Sequence, residues 1–371
     1  MKIQPFWLDY TIFAHKIISI KQTVNLTFCL QYTMQSLPKY FTAASLLFIL
    51  ILTGCMGNLS ESPYPDITFT PKSVMPGIGR ASAVGFAIGG KGYVALGRTG
   101  IYGPQLKDCW EFNPDSDKWS QKAVFPGKAR VKAVGVGLNG KGFVGMGFDI
   151  KYAFYVDTAH LKDFWCFDPK LNTWTRKADY PSKYTDACIS MVYKNEIYVG
   201  FGFDGWGFSR YFFKYNPEND IWIELNGFPG PERVGGVMCT DGERVFFGTG
   251  FNTYNQNDWW EYFPATDTWK ELLRMPDTGR ENGLSISIKD KNSKSRYFVT
   301  TGRRFAGEMT GGGVKSDIME YDPIRTAWYK RGDIPNGGRE NALIFAINGK
   351  GYVGFGENSN TVLNDFWCFE P

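Results

Sequence analysis

The chain has 371 residues and a formal net charge of +4, long enough for two average domains or one large all-β repeat fold. Its basic residues form no long run, which argues against an electrostatic footprint for nucleic acid. Seven cysteines without metal-like spacing and only two histidines, His15 and His160, exclude a zinc framework or a site built on several imidazoles. No metal and no cofactor are expected.

In chain order, residues 41–52 (FTAASLLFILIL) form an apolar run too short to span a bilayer comfortably. Lys39 precedes it, and Leu52, Thr53, Gly54 and Cys55 follow. This order resembles a bacterial lipoprotein signal, with a basic start, an apolar centre and small residues before a cysteine. The resemblance implies cleavage before Cys55, acylation of that cysteine and a membrane anchor there. A signal of ordinary proportions starts at Met34, so residues 1–33 read as a mis-called translation start. The expected division is a signal peptide at 34–54, a tether at 55–66 and one fold from 67 to 371.

From Pro76 onward a unit of about 50 residues recurs, and such a period is read as a repeat before anything else. Each unit opens with proline and, after three intervening residues, usually arginine: Pro76/Arg80, Pro126/Arg130, Pro229/Arg233, Pro276/Arg280 and Pro335/Arg339. The third unit has Pro181 and Thr185 instead. An apolar run, a polar turn and a second run ending in glycine follow, as in NGKGFVGMG (139–147) and NGKGYVGFG (348–356). After a variable loop comes an Asp-x-Trp or aromatic strand, then a strand opened by Trp119, Trp174, Trp222, Trp269 or Trp328. Four short strands in each of six units predict an all-β, six-bladed propeller. The glycine-ended second strand, the Tyr or Phe before it and the tryptophan beyond it resemble kelch repeats. The last unit ends before its fourth strand, and Thr68-Phe69-Thr70 matches Thr173-Trp174-Thr175. The N-terminal segment is therefore expected to close the last blade, removing an exposed sheet edge.

Three groups of residues are candidates for function. Arg80, Arg130, Arg233, Arg280 and Arg339 could ring the funnel and hold an anionic sugar. Five blades also carry an aspartate at one third-strand position: Asp108, Asp163, Asp258, Asp317 and Asp365. Blade three has Tyr211 there and Thr185 in place of arginine; losing both together favours structural Arg–Asp pairs. Glu281 and Glu340, repeated as Arg-Glu-Asn, place carboxylates near the funnel, where acid–base work is conceivable. The loops after the second strands of blades two to four open alike, with Phe148-Asp149, Phe203-Asp204 and Phe251-Asn252, and add Tyr152, Trp206 and Tyr254. Aromatic faces beside carboxylates and amides suit sugar rings; the alternative is that the loops bury their own aromatics. Cys166 and Cys368 share one strand position in separated blades and read as buried free thiols.

The resemblance extends to the propeller of galactose oxidase, whose copper site uses histidines, tyrosines and a Cys–Tyr cross-link. With His160 the one histidine in the propeller, that activity is not supported. A second resemblance, to the bacterial N-acetylneuraminate epimerases, implies a sugar mutarotase or epimerase as the alternative function. The leading expectation is a monomeric outer-membrane lipoprotein that binds a glycan or protein ligand without catalysis.

Overall fold

The computed structural model describes residues 61–100, 103–153, 156–305 and 312–371. The signal, Cys55 and the first half of the tether lie outside the described residues. From residue 67 the chain builds six four-stranded antiparallel sheets. Blade one comprises Val84–Ile88, Lys91–Ala95, Cys109–Asn113 and Lys118–Lys122. Blade two repeats this with Val134–Leu138, Lys141–Gly145, Phe164–Asp168 and Thr173–Lys177. The first strands of blades three to six are Ile189–Tyr193, Val237–Thr240, Leu284–Lys289 and Leu343–Ile347. The second strands are the most deeply buried; the outermost strand of blade two alternates exposed and half-buried residues, whereas that of blade five is largely buried. Six large apolar clusters each join two neighbouring blades, as where Val134, Phe143 and Phe164 of blade two meet Ile197, Phe213 and Tyr215 of blade three, and a small seventh lies under the long loop of blade two. The core therefore lies between blades, and no blade can bury its faces alone.

The glycine pattern has a steric cause. A Cβ on Gly145 would stand 2.5 Å from the Asp163 carbonyl oxygen, and one on Gly147, where φ is +93°, 2.6 Å from that of Val131. The first glycine lets the third strand approach; the second lets the loop turn back against the first strand. Blade one has the small Ala95 in place of the first glycine, and blade five shows a larger exception and its remedy. Thr300 replaces the first glycine, the ladder shifts register between Asp317 and Met319, and the Thr300 hydroxyl donates to the Asp317 carbonyl at 2.8 Å.

The closing tryptophans join blades by a two-point clasp. Trp174 donates its indole N–H to the Ala123 carbonyl at 2.9 Å, while Asn172, two residues earlier, accepts the Ala123 N–H at 2.8 Å. Trp222 and Asp220 hold Ala178 in the same way, at 2.9 Å each. The residue before each tryptophan's strand adopts positive φ (Asn172 +54°, Asp220 +56°), which aims its side chain back at the neighbour.

The ring closes as expected. Phe69–Pro71 pairs antiparallel with Phe366–Phe369, Phe69 opposite Phe369 and Thr70 opposite Cys368. Ser73 then receives the clasp of blade one, from Trp119 at 2.8 Å and Asp117 at 3.2 Å. Upstream, Tyr64 lies beneath the Arg296 guanidinium, 3.8 Å from its ring centre, and its hydroxyl donates to Asp322 at 3.2 Å. Residues 61–67 thus enter the propeller among the turns of blade five, at the end of the strands away from the long loops.

Candidate functional site on the loop face

The strands of a blade alternate direction, so the loop after the second strand lies where the first strand begins. Short bridges confirm it: Val131 pairs with Phe148, Asp186 with Phe203, Val234 with Phe251, Glu281 with Arg303 and Glu340 with Glu357. The expected arginines and loop residues do share one face.

The arginines are all engaged there. Arg130 grips Asp163 through two bonds of 2.8 Å and donates a third, of 3.0 Å, to the Met146 carbonyl. Arg80–Asp108, Arg233–Asp258, Arg280–Asp317 and Arg339–Asp365 repeat the two-pronged pair. All five guanidinium groups are buried. The Asp-x-Trp spacing completes the unit, since Trp110, Trp165, Trp260 and Trp367 donate indole N–H groups to the same aspartates. A ring of arginines open to an anionic ligand is therefore not what the face presents. In blade three the Cys188 thiol, 3.6 Å from the Phe201 carbonyl, serves the oxygen that arginine serves elsewhere. The thiols of Cys109, Cys166, Cys239 and Cys368 are buried and free, and burial raises the pKa of each.

The two repeated glutamates are also held. Glu340 accepts from Asn282 Nδ2 at 3.0 Å and from Arg303 Nε, while the Glu281 backbone exchanges two hydrogen bonds with Arg303. Beside them Glu357 is gripped by Arg98 at 2.6 and 2.7 Å and by Asn341 at 2.8 Å. Blades five, six and one thus meet at the mouth through a continuous arc of paired acids, amides and arginines.

The loop aromatics divide into two sets. Phe148 and Phe251 are buried, and a chain of ring contacts runs Phe148–His160 (5.0 Å), His160–Phe203 (6.4 Å), Phe203–Phe208 (5.4 Å), Phe208–Phe251 (6.0 Å) and Phe251–Phe305 (4.6 Å). These rings weld neighbouring loops together. Tyr152 is half-buried and lies 4.8 Å under the Lys128 ammonium. Trp206, by contrast, is 83% exposed, with Tyr254 60% and Tyr211 48% exposed. Large apolar rings this open are uncommon unless something covers them. Tyr211 lies 6.0 Å from Tyr184, whose ring is also the nearest neighbour of Gly207, so blade three gathers an aromatic patch around Trp206.

The polar members of the loops are used internally. Asp149 caps the Lys151 N–H at 3.1 Å. Asp204 accepts from the Trp206 and Gly207 N–H groups at 2.9 and 2.8 Å and pairs with Lys183 at 2.9 Å. Burial pushes the Asp204 carboxyl up, and these partners outweigh it, leaving it below the ordinary range. Asn252 donates to the Glu232 carbonyl. What the Asp204 turn does is hold Trp206 out. Three residues that are not among the sequence-based site candidates complete this side of the mouth: Lys132, His160 and Asp186. Asp186 was findable, because it stands in register with Glu281 and Glu340 one place after the arginine position. A separate cleft of about 550 Å³ lies at the turn end of blade six, among Lys72, Arg331, Lys350 and Glu370, and takes in none of these residues.

No family model matches the chain. It is 28% identical over 195 residues to N-acetylneuraminate epimerase of Pasteurella multocida, covering 43% of this chain and 50% of that protein. It is 29% identical over 124 residues to spermatocyte protein spe-26 of Caenorhabditis elegans, covering 33% of this chain and 21% of that one. The matches thus span half or less of either relative. The solved structure of YjhT superposes with a TM-score of 0.66 at 16% identity, over 80% of this chain and 96% of that one, which is a likeness of fold. With its six blades, its glycine-ended second strands and its strand order, the chain is a six-bladed β-propeller of the kelch type.

Proposed function

We propose that the protein is a lipid-anchored propeller of the bacterial cell envelope, outer-membrane in location, whose loop face binds a glycan. The exposure of Trp206 carries this reading. A rigid turn presents its indole to solvent, and Tyr184, Tyr211 and Tyr254 offer further faces for sugar C–H groups to stack on. One stacked ring contributes about 1 kcal/mol, roughly a fivefold change in Kd, so extended glycans should bind better than monosaccharides. On an array of immobilised oligosaccharides, the full chain should retain a subset of extended glycans, and Trp206→Ala should weaken that binding about fivefold or more. Retention by the parent that is untouched by Trp206→Ala would remove Trp206 from the site.

The anchor has its own test. Metabolic labelling with a fatty acid should mark the parent and not Cys55→Ala; equal labelling would sink the anchor.

The match to an N-acetylneuraminate epimerase supports a second reading, in which the acid-lined mouth around Glu281, Glu340 and Arg303 epimerises a sugar. Proton NMR of N-acetylneuraminate would decide it: an anomer ratio that relaxes no faster with the protein than without it rules out this reading.

A further inference from the structure

One carboxylate at the funnel mouth lacks the donors that its repeat counterpart has. Asp186 follows Thr185 as Glu340 follows Arg339. Glu340 receives two donors from the preceding blade, Asn282 at 3.0 Å and Arg303. At the two equivalent positions before Asp186 stand Lys132 and Phe148. Lys132 reaches Asp186 Oδ1 only at 3.9 Å, too long for a hydrogen bond, and phenylalanine offers no donor. Asp186 is 8% exposed, and among the described residues its Oδ1 is the one carboxylate oxygen that is buried without a hydrogen bond. A buried acceptor left this way asks for a partner that the chain does not supply.

A second unpartnered atom lies on the same side. His160 forms a backbone bridge with Phe148, its ring sits between Phe148 and Phe203, and its Nδ1 has no hydrogen bond. Burial lowers its pKa, against the pull of the Asp186 and Asp204 carboxylates, so the ring is neutral at pH 7 and can accept or donate one bond. Asp204 in turn holds the turn that carries Trp206. The mouth between blades two and three therefore combines an under-supplied acid, a neutral imidazole and phenylalanine walls beside an exposed indole.

We infer that Asp186, His160 and Lys132 form the polar end of a sugar subsite that takes two adjacent hydroxyls of one ring. This rests on the glycan reading and deepens it. Hydroxyl donors fit better than a cation, because the ammonium groups of Lys132 and Lys183 already stand beside Asp186 and Asp204. Lys132, the more exposed partner, swings off Asp186 as the ring enters, and one hydroxyl donates to each of Asp186 Oδ1 and His160 Nδ1.

The test uses the full chain, the oligosaccharides that the array retains, and deoxy analogues lacking one of two adjacent hydroxyls. Asp186→Asn should weaken binding at least tenfold and abolish the preference for the intact sugar over its deoxy analogue. It should leave the melting temperature unchanged or raised, whereas Glu340→Gln, which breaks a satisfied network, should lower it. If the parent binds and Asp186→Asn binds as well, the subsite is wrong and the glycan reading survives. If Asp186→Asn melts as low as Glu340→Gln, Asp186 is structural and the proposal falls. If the parent retains no glycan, both fall. Retention of arginine- or lysine-bearing peptides that depends on Asp186 would assign the carboxylate to a cation and overturn the hydroxyl pair.

Discussion

Removal of residues 67–73 should lower the unfolding midpoint by about 10 °C or more, or leave a chain that aggregates before it melts. The segment supplies the outer strand of blade six, buries Ile67 beneath blade five and presents Ser73 to the clasp of Trp119 and Asp117. Losing one buried isoleucine removes about 1.5–3 kcal/mol. Each lost hydrogen bond removes about 1 kcal/mol more, and several go together. For a domain of this size each kilocalorie is worth about 2–4 °C. The damage also spreads, because Phe366–Phe369 becomes an open edge able to pair with another chain. Calorimetry with light scattering measures both effects. A truncated chain that melts with the parent and stays clear would mean that the ring does not close through this strand.

The second large effect belongs to the Arg–Asp pairs. Arg130→Ala leaves Asp163 facing Trp165 alone, and Asp163→Ala leaves a buried guanidinium without its counter-charge. Each single change should cost about 3–5 kcal/mol. The double variant should lose less than the sum, since the second change removes a charge the first had stranded. Additive losses would mean that the two side chains do not depend on each other. The pairs also set an acid limit. For Asp108, Asp163 and Asp365, burial raises the carboxyl pKa, and the arginine partner together with the tryptophan indole and other hydrogen-bond donors more than reverses it, so each lies below the ordinary value. A carboxyl whose folded pKa is depressed contributes stability above its unfolded pKa, about 3.9, and loses it as pH falls through the folded value. Stability should therefore fall steeply below about pH 4, and Asp163→Asn should show a shallower fall than the parent.

The architecture was legible because a repeat exposes its own grammar. Glycine-ended strands recur six times, Pro–Arg openings and closing tryptophans five times each, and each proves to be one contact made over and over. Even the joint loss of Arg and Asp in blade three pointed to their pairing. The loops were legible only in part. Trp206 between Gly205 and Gly207 reads as uncovered and is. Phe148 and Phe251 look like the same kind of residue, yet they are buried: Phe251 by Phe208 and Phe305 of the neighbouring blades, and Phe148 by Val131, Ala159 and His160 of its own blade, folded over it in a way local sequence does not reveal. Asp149, Asp204 and Asn252 look like ligand groups and instead cap their own or adjacent backbone. Short polar side chains satisfy whichever N–H or carbonyl the turn brings near, and the turn is not written in the residue type. The position of Asp186 is legible from its register with Glu281 and Glu340, but its missing donor is not: only a comparison of what stands opposite Glu340 with what stands opposite Asp186 shows it.

The central claim is that a glycan lies on the loop face over blade three. Hydroxyl-radical footprinting of the full chain, with and without an oligosaccharide that the array retains, tests it most directly. Trp206 is the most exposed of the large apolar side chains and should oxidise readily when unliganded. Bound glycan should lower oxidation of Trp206 several-fold and that of Tyr254 and Tyr211 less, while Ile324 and Leu171, exposed in turns at the opposite end of their blades, stay unaffected. Saturating glycan that leaves Trp206 as reactive as before, or that protects the turn end instead, would contradict it.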